Sequence, residues 1–118
     1  MILVDTSIWV DHFQNGDPGL AVLLQTGQVL AHPFVIGELA LDHLGQRDLI
    51  LGDLAQLPRV VTASDVEVLG FIRTRKLFGL GYVDAHLLAA VQLTAAATLW
   101  TRDKRLMATA KTIALPVR

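Results

Sequence analysis

The sequence predicts an α/β fold: a single domain built on a parallel four- to five-stranded sheet with helices on both faces. Three observations predict it. Short apolar, often β-branched runs alternate with longer helical segments, the pattern of parallel sheets covered on both sides. The four prolines and nine glycines fall mostly between those runs, as punctuation. The length, 118 residues, suits one domain spanning residues 1–118. At 12.8 kDa such a chain folds to about 6,300 Å² of surface from about 18,600 Å², enough for a core of its own. Apolar residues make up 53% and charged residues 18%. Average domains hold about 45–50% and about 25%, so intrinsic disorder is excluded and apolar surface is left over for a partner.

Each element follows in chain order. Ile2-Leu3-Val4 reads as a buried strand. Residues 6–13 read as a helix, and after the turn signal Asn15-Gly16-Asp17-Pro18, residues 20–25 as a second. Val29-Leu30-Ala31 is the next strand, and Pro33 opens a helix to about residue 44. Residues 47–56 form a helix closed by Pro58, and Val60-Val61 a third strand. Ser64-Asp65-Val66-Glu67 is a capping box opening a helix to about residue 78. Residues 83–93 are apolar nearly all round, as in a buried helix. Residues 97–100 form a fourth strand, 103–110 a helix, and 113–115 a fifth strand.

Several chemistries are excluded at once. With no cysteine there is no disulfide, thiol nucleophile or thiolate zinc site, and a cytoplasmic location is expected. No secretory signal is visible, and the uncharged stretch 18–37 is broken by Gln25-Thr26-Gly27-Gln28 and His32-Pro33, so no membrane span is expected. Gly79-Leu80-Gly81 lacks the third glycine and the preceding strand of a dinucleotide loop. Ser7 and Ser64 sit in no nucleophile elbow. His12, His32, His43 and His86 have no zinc-ligand spacing.

Carboxylates remain, nine Asp and two Glu. Asp17 belongs to a turn, Asp65 and Glu67 to a helix start, and Asp11, Asp42, Asp48 and Asp53 to solvated helix faces. Four resist so simple a reading. Asp5 ends the first strand, where ligands of open parallel sheets bind, although a helix N-cap would also place it there. Glu38 has Phe34, Val35 and Leu41 as helical neighbours and no basic partner nearby in sequence; a Glu leaning out to solvent is the rival reading. Asp84 opens the apolar helix and Asp103 follows the fourth strand, and both suit a first helical turn as well.

Their joint placement carries more. In the doubly wound strand order 3-2-1-4, strands one and four are neighbours, so Asp5 and Asp103 leave one sheet edge together. Carboxylates converging there repel and take up protons. A divalent cation removes the conflict, and an all-oxygen donor set selects a hard ion, Mg²⁺ or Mn²⁺.

These residues resemble the PIN-domain nucleases, and among them the VapC-type toxins of bacterial toxin–antitoxin pairs. The likeness lies in Met1-Ile2-Leu3-Val4-Asp5-Thr6-Ser7-Ile8-Trp9, in Glu38-Leu39, and above all in residues 83–106 with Asp84-Ala85, Leu88, Ala90, Leu99 and Thr101-Arg102-Asp103-Lys104-Arg105-Leu106. It covers the whole chain, with least signal in residues 45–61. The resemblance implies a metal-dependent endoribonuclease in which Asp5, Glu38, Asp84 and Asp103 are catalytic and bind Mg²⁺ or Mn²⁺. Thr6, Ser7 and Thr101 become candidate hydroxyls that orient carboxylates or water, against a rival role in capping.

With those four acids set aside, ten basic side chains stand against seven acids, a net +3. Arg73, Arg75 and Lys76, and the group Arg102, Lys104 and Arg105, are candidate RNA-backbone contacts. Trp9, Phe13, Phe34, Phe71 and Trp100 are assigned to core packing. The resemblance also implies a cognate antitoxin and a homodimer, with Ile8, Trp9, Leu20 and Leu23 as candidate exposed apolar residues against the stronger reading that they pack in the core. Two rival functions are a receiver-like phospho-acceptor domain, which lacks the acidic pair after strand one and the Asp after strand three, and a catalytically silent PIN-like binding module. A haloacid-dehalogenase phosphatase would need Asp at position 7, which is Ser.

Overall fold

The structure, a computed structural model, describes residues 1–118. Ten elements run in order: β1 (Ile2–Val4), α1 (Thr6–Asn15), α2 (Pro18–Gln25), β2 (Val29–Leu30), α3 (Pro33–Ala40), α4 (Arg47–Ala55), α5 (Asp65–Arg75), α6 (Tyr82–Leu93), β3 (Thr98–Trp100) and α7 (Lys104–Thr112). The sheet is parallel, in the order β2-β1-β3. Leu3 pairs with Leu30 on one side and with Leu99 on the other. Leu3 and Val4 are adjacent yet both fully buried. Neighbouring strand residues point to opposite faces, so this sheet is covered on both.

The expected four to five strands are corrected to three. The two outer strands shrink to single parallel bridges, Ala31 with Arg59 and Leu99 with Val117. Their positions preserve the expected order, one beside β2 and one beside β3. Two features of the sequence stop the ladders. Pro58 and Pro116 have no N–H and contribute only carbonyls, to Ala31 N at 2.8 Å and Leu99 N at 3.0 Å. Past Val60, the Val61 N–H turns to the Thr94 hydroxyl at 2.8 Å. Residues 113–115, expected as the fifth strand, instead follow the end of α7.

Helix starts follow local chemistry. The Asp5, Asp17, Ser64 and Asp103 side chains each accept an N–H of the helix they precede. His32 does the same through Nδ1, from Phe34 N at 3.0 Å. Ser64 and Glu67 form the full capping box. The fifth helix ends at Arg75, three residues earlier than expected, because Lys76 takes a left-handed conformation (φ 56°). In α6 the run Ala85 to Val91 is buried throughout, and Leu87, Leu88 and Ala90 join Leu3, Val4, Leu30 and Leu99 in the main core. No helix is long and apolar enough to cross a membrane.

Ile8, Trp9, Leu20 and Leu23, named as exposed apolar candidates, are all buried in that core. Amphipathic helices turn such residues to the sheet first. The exposed large apolar side chains lie elsewhere, among them Leu41, Val66 and Phe78.

Candidate active site

Each strand is followed within two residues by a polar side chain, so the carboxyl edge of the sheet collects polar groups. Asp5 follows β1, His32 lies two residues past β2, and Thr101 to Asp103 follow β3. The Asp5 N–H donates to Trp100 O at 3.0 Å, which locks the ends of β1 and β3 side by side.

Asp5 is buried and its carboxylate is held on both oxygens. Oδ1 accepts Thr6 N at 2.7 Å; Oδ2 accepts Ser7 Oγ at 3.2 Å and Thr101 Oγ1 at 2.6 Å. Thr101 Oγ1 in turn accepts Asp103 N at 3.0 Å, and Ser7 Oγ accepts Arg102 N at 3.2 Å. Glu38 is exposed. Its Oε1 accepts Thr6 Oγ1 at 2.6 Å, so its partner is a hydroxyl 32 positions away rather than a base. Asp103 is exposed, and its Oδ1 accepts the Arg105 and Leu106 N–H groups. Thr6, Ser7 and Thr101 thus each donate to one of the four acids.

Asp84 completes the group from the first turn of α6. Its carboxyl is pushed from 3.8 up to about 6, first by burial, then by the charges of Asp5, Asp103 and Glu38. No hydrogen bond offsets these effects. Three acids from three other elements therefore act on Asp84. No three of the four acids, with or without a histidine, are drawn onto a single point; Glu38 turns to Thr6 and Asp103 to its own helix. All the oxygens are carboxylate, and Asp84 lacks a countercharge. That donor set fits a hard divalent cation. Glu38 and Asp103 are exposed, so the site is open to solvent, and none of the five cavities is lined by these acids.

The basic candidates divide. Arg102 Nη2 lies 3.0 Å from Asp11 Oδ2 and 2.9 Å from Asp17 Oδ2, the only ion pairs in the molecule. Asp11 and Asp17 therefore share its charge within the protein. The sequence offered no sign of this, because the partners are 91 and 85 positions away. Arg75 donates to Gln92 Oε1 at 2.5 Å and Arg105 Nη1 to Gly79 O at 2.6 Å; both are anchored but keep their charge. Arg73, Lys76 and Lys104 have no acidic partner.

Sequence reasoning also missed an aromatic group beside the acids. His86, two residues after Asp84, lies 4.5 Å from the Phe34 ring, 4.7 Å from Tyr82 and 6.2 Å from His32, between centroids. Phe34 and Tyr82 are partly exposed at 38% and 46%. Phe34 was assigned to the core, and only its place one turn before Glu38 hinted otherwise. The Nε2 atoms of His32 and His86 are buried without a partner. Burial, with the nearby His86 and Arg59, lowers His32 from 6.5 to about 4, and burial lowers His86 as well.

Comparison with known proteins adds an independent line. The PIN domain family model matches residues 2–112. The chain is similar to Ribonuclease VapC32 of Mycobacterium tuberculosis, from strains CDC 1551 / Oshkosh and ATCC 25618 / H37Rv. Identity is 48% over 110 residues in both, covering 92% of this chain and 89% of the relative.

Proposed function

The chain belongs to the PIN-domain family, and from that premise we propose that it is an endoribonuclease hydrolysing RNA phosphodiester bonds with Mg²⁺ or Mn²⁺. The observation that carries the reading is the Asp84 carboxyl, raised to about 6 first by burial and then by the charges of three acids from three other elements. A cluster of this kind is electrostatically unfavourable without a cation.

Asp5, Glu38, Asp84 and Asp103 are the proposed ligands. When bound, the divalent ion supplies positive charge at the scissile phosphate and lowers the pKa of an attacking water. The chain's own residues set the geometry. Thr101 and Ser7 hold Asp5 Oδ2, and the Thr6 N–H holds Oδ1, so this carboxylate has one orientation before substrate arrives. The Thr6 hydroxyl, next to Asp5 in the chain, holds Glu38 Oε1 at 2.6 Å. Asp84, free of hydrogen bonds, is left to respond to whatever charge enters. The open site admits a long polymer, and the unpaired cations Arg73, Lys76 and Lys104 suit its backbone.

The relative's name extends the proposal to the toxin of a toxin–antitoxin pair, acting in the cytoplasm, paired with a cognate antitoxin and assembled as a homodimer. Membership in the family leaves the receiver-like alternative without support. The test is RNA cleavage by the purified chain with Mn²⁺ and its loss on chelation. Asp5→Asn and Asp84→Asn should stop cleavage while the proteins stay folded. Full activity in both variants would refute the site.

A further inference from the structure

We propose that Phe78, Arg75, Lys76 and Arg105 form a subsite for single-stranded RNA beside the acidic site, one base stacking on the Phe78 ring and adjacent phosphates meeting the cations. The inference rests on the ribonuclease reading and extends it to a residue that no catalytic argument uses.

Phe78 is 92% exposed, the most exposed large apolar side chain of the chain. A single exposed ring needs no explanation, but its surroundings supply one. It borders a cavity of about 250 Å³ whose lining includes Arg75, Lys76, Arg105, Thr109 and Thr112 and no acid. None of those three cations has an ion-pair partner, since both ion pairs of the molecule belong to Arg102. Uncompensated charge around an open ring favours a polyanion with flat bases over an apolar protein segment. Thr109 and Thr112 also line it, the Thr112 hydroxyl donating to Ala108 O at 2.9 Å within α7.

The cavity is tied to the acids by the loop between α5 and α6. Arg105 donates from Nη1 to Gly79 O at 2.6 Å and from its backbone N to Asp103 Oδ1 at 2.9 Å. One residue thus touches both the loop that carries Phe78 and an acid of the site. At the other end of the loop, a Cβ built on Gly81 would lie 3.8 Å from Asp84 Oδ2. Gly79 takes φ +74°, a turn that glycine makes without strain. The loop that carries Phe78 thus meets the acids through Arg105 at Gly79 and through Gly81 beside Asp84. Stacking tolerates every base, so the subsite would hold the strand without choosing its sequence.

The experiment is steady-state cleavage of a short single-stranded oligoribonucleotide in Mn²⁺ by the unaltered chain, Phe78→Ala, Phe78→Trp and Lys76→Gln. Loss of one stacked base is worth roughly a 5- to 150-fold change, expected on KM, since remote binding is shared by ground and transition states. Phe78→Trp should keep KM, and its added indole fluorescence should be quenched by RNA. Lys76→Gln should reduce the salt dependence of kcat/KM by roughly 0.7 in log–log slope. An unchanged KM in Phe78→Ala would overturn the subsite, as would a change confined to self-association, which would make Phe78 a protein contact. If the unaltered chain cleaves and Phe78→Ala matches it, the subsite alone falls; if the unaltered chain cleaves no RNA in Mn²⁺, the ribonuclease reading falls and takes the subsite with it.

Discussion

Thr101 donates from Oγ1 to Asp5 Oδ2 over 2.6 Å while accepting Asp103 N at 3.0 Å. One buried hydroxyl thereby sets the relation between two proposed metal ligands that lie 98 positions apart. A methyl in its place keeps the volume and loses both contacts.

Thr101→Val should therefore cost about 1–3 kcal/mol of stability, the usual penalty for stranding buried polar partners. It should lower kcat for RNA cleavage more than it raises KM. Thr101→Ser should recover both. Denaturant unfolding together with cleavage kinetics checks this; normal kcat in the valine variant would show that Asp5 is positioned without Thr101.

Asp84 gives a pH dependence whose sign can be stated. Its folded value, about 6, lies above the ordinary 3.8, so the fold holds the proton more tightly than the unfolded chain. The protonated carboxyl's contribution is complete below about pH 4 and disappears as pH rises through about 6. Metal-free protein should lose about 1–2 kcal/mol over that window, after allowance for partial exposure. Asp84→Asn should remove the loss and melt higher than the unaltered protein at pH 7. Added Mn²⁺ should raise the melting temperature of the unaltered chain and have a much weaker effect on Asp84→Asn.

His32 works in the opposite sense. Its folded value of about 4 lies below 6.5, so neutral His32 is favoured in the fold. That contribution is complete above about pH 6.5 and is lost as pH falls toward 4, by about 2 kcal/mol. His32→Asn keeps an acceptor for the α3 N-terminus and removes the titration. Its stability should fall less steeply with acid than the unaltered protein's, whatever its level at pH 7. An identical acid slope in urea titrations would show that other groups carry the effect.

Arg102 should prove structural. Arg102 is half exposed and pairs with the partly exposed Asp11 and the more buried Asp17; pairs open to solvent contribute about 0–1 kcal/mol. Arg102→Gln should shift the urea midpoint slightly and leave the salt dependence of RNA cleavage nearly intact, whereas Lys76→Gln should reduce it. A larger salt effect in Arg102→Gln would return that residue to the RNA surface.

The sequence by itself determined the parallel α/β order, the capping box that opens α5 and the choice of the four candidate acids. Strand runs such as Ile2-Leu3-Val4 and caps such as Ser64 with Glu67 are local, so each is written within a few residues. Asp5 and Asp103 were also legible, because a strand end in a parallel sheet has one edge to face. Tertiary structure alone decided the rest. Val60-Val61 read as a strand, yet Thr94, distant in sequence, takes the Val61 N–H. Arg102 read as a phosphate contact, yet the fold brings Asp11 and Asp17 to it. Phe78 read as the end of a helix, yet the left-handed Lys76 ends α5 first and leaves the ring in water. The division follows from range: propensity and periodicity act over one or two turns of chain, while a charge or a polar hydrogen finds its partner by distance in space.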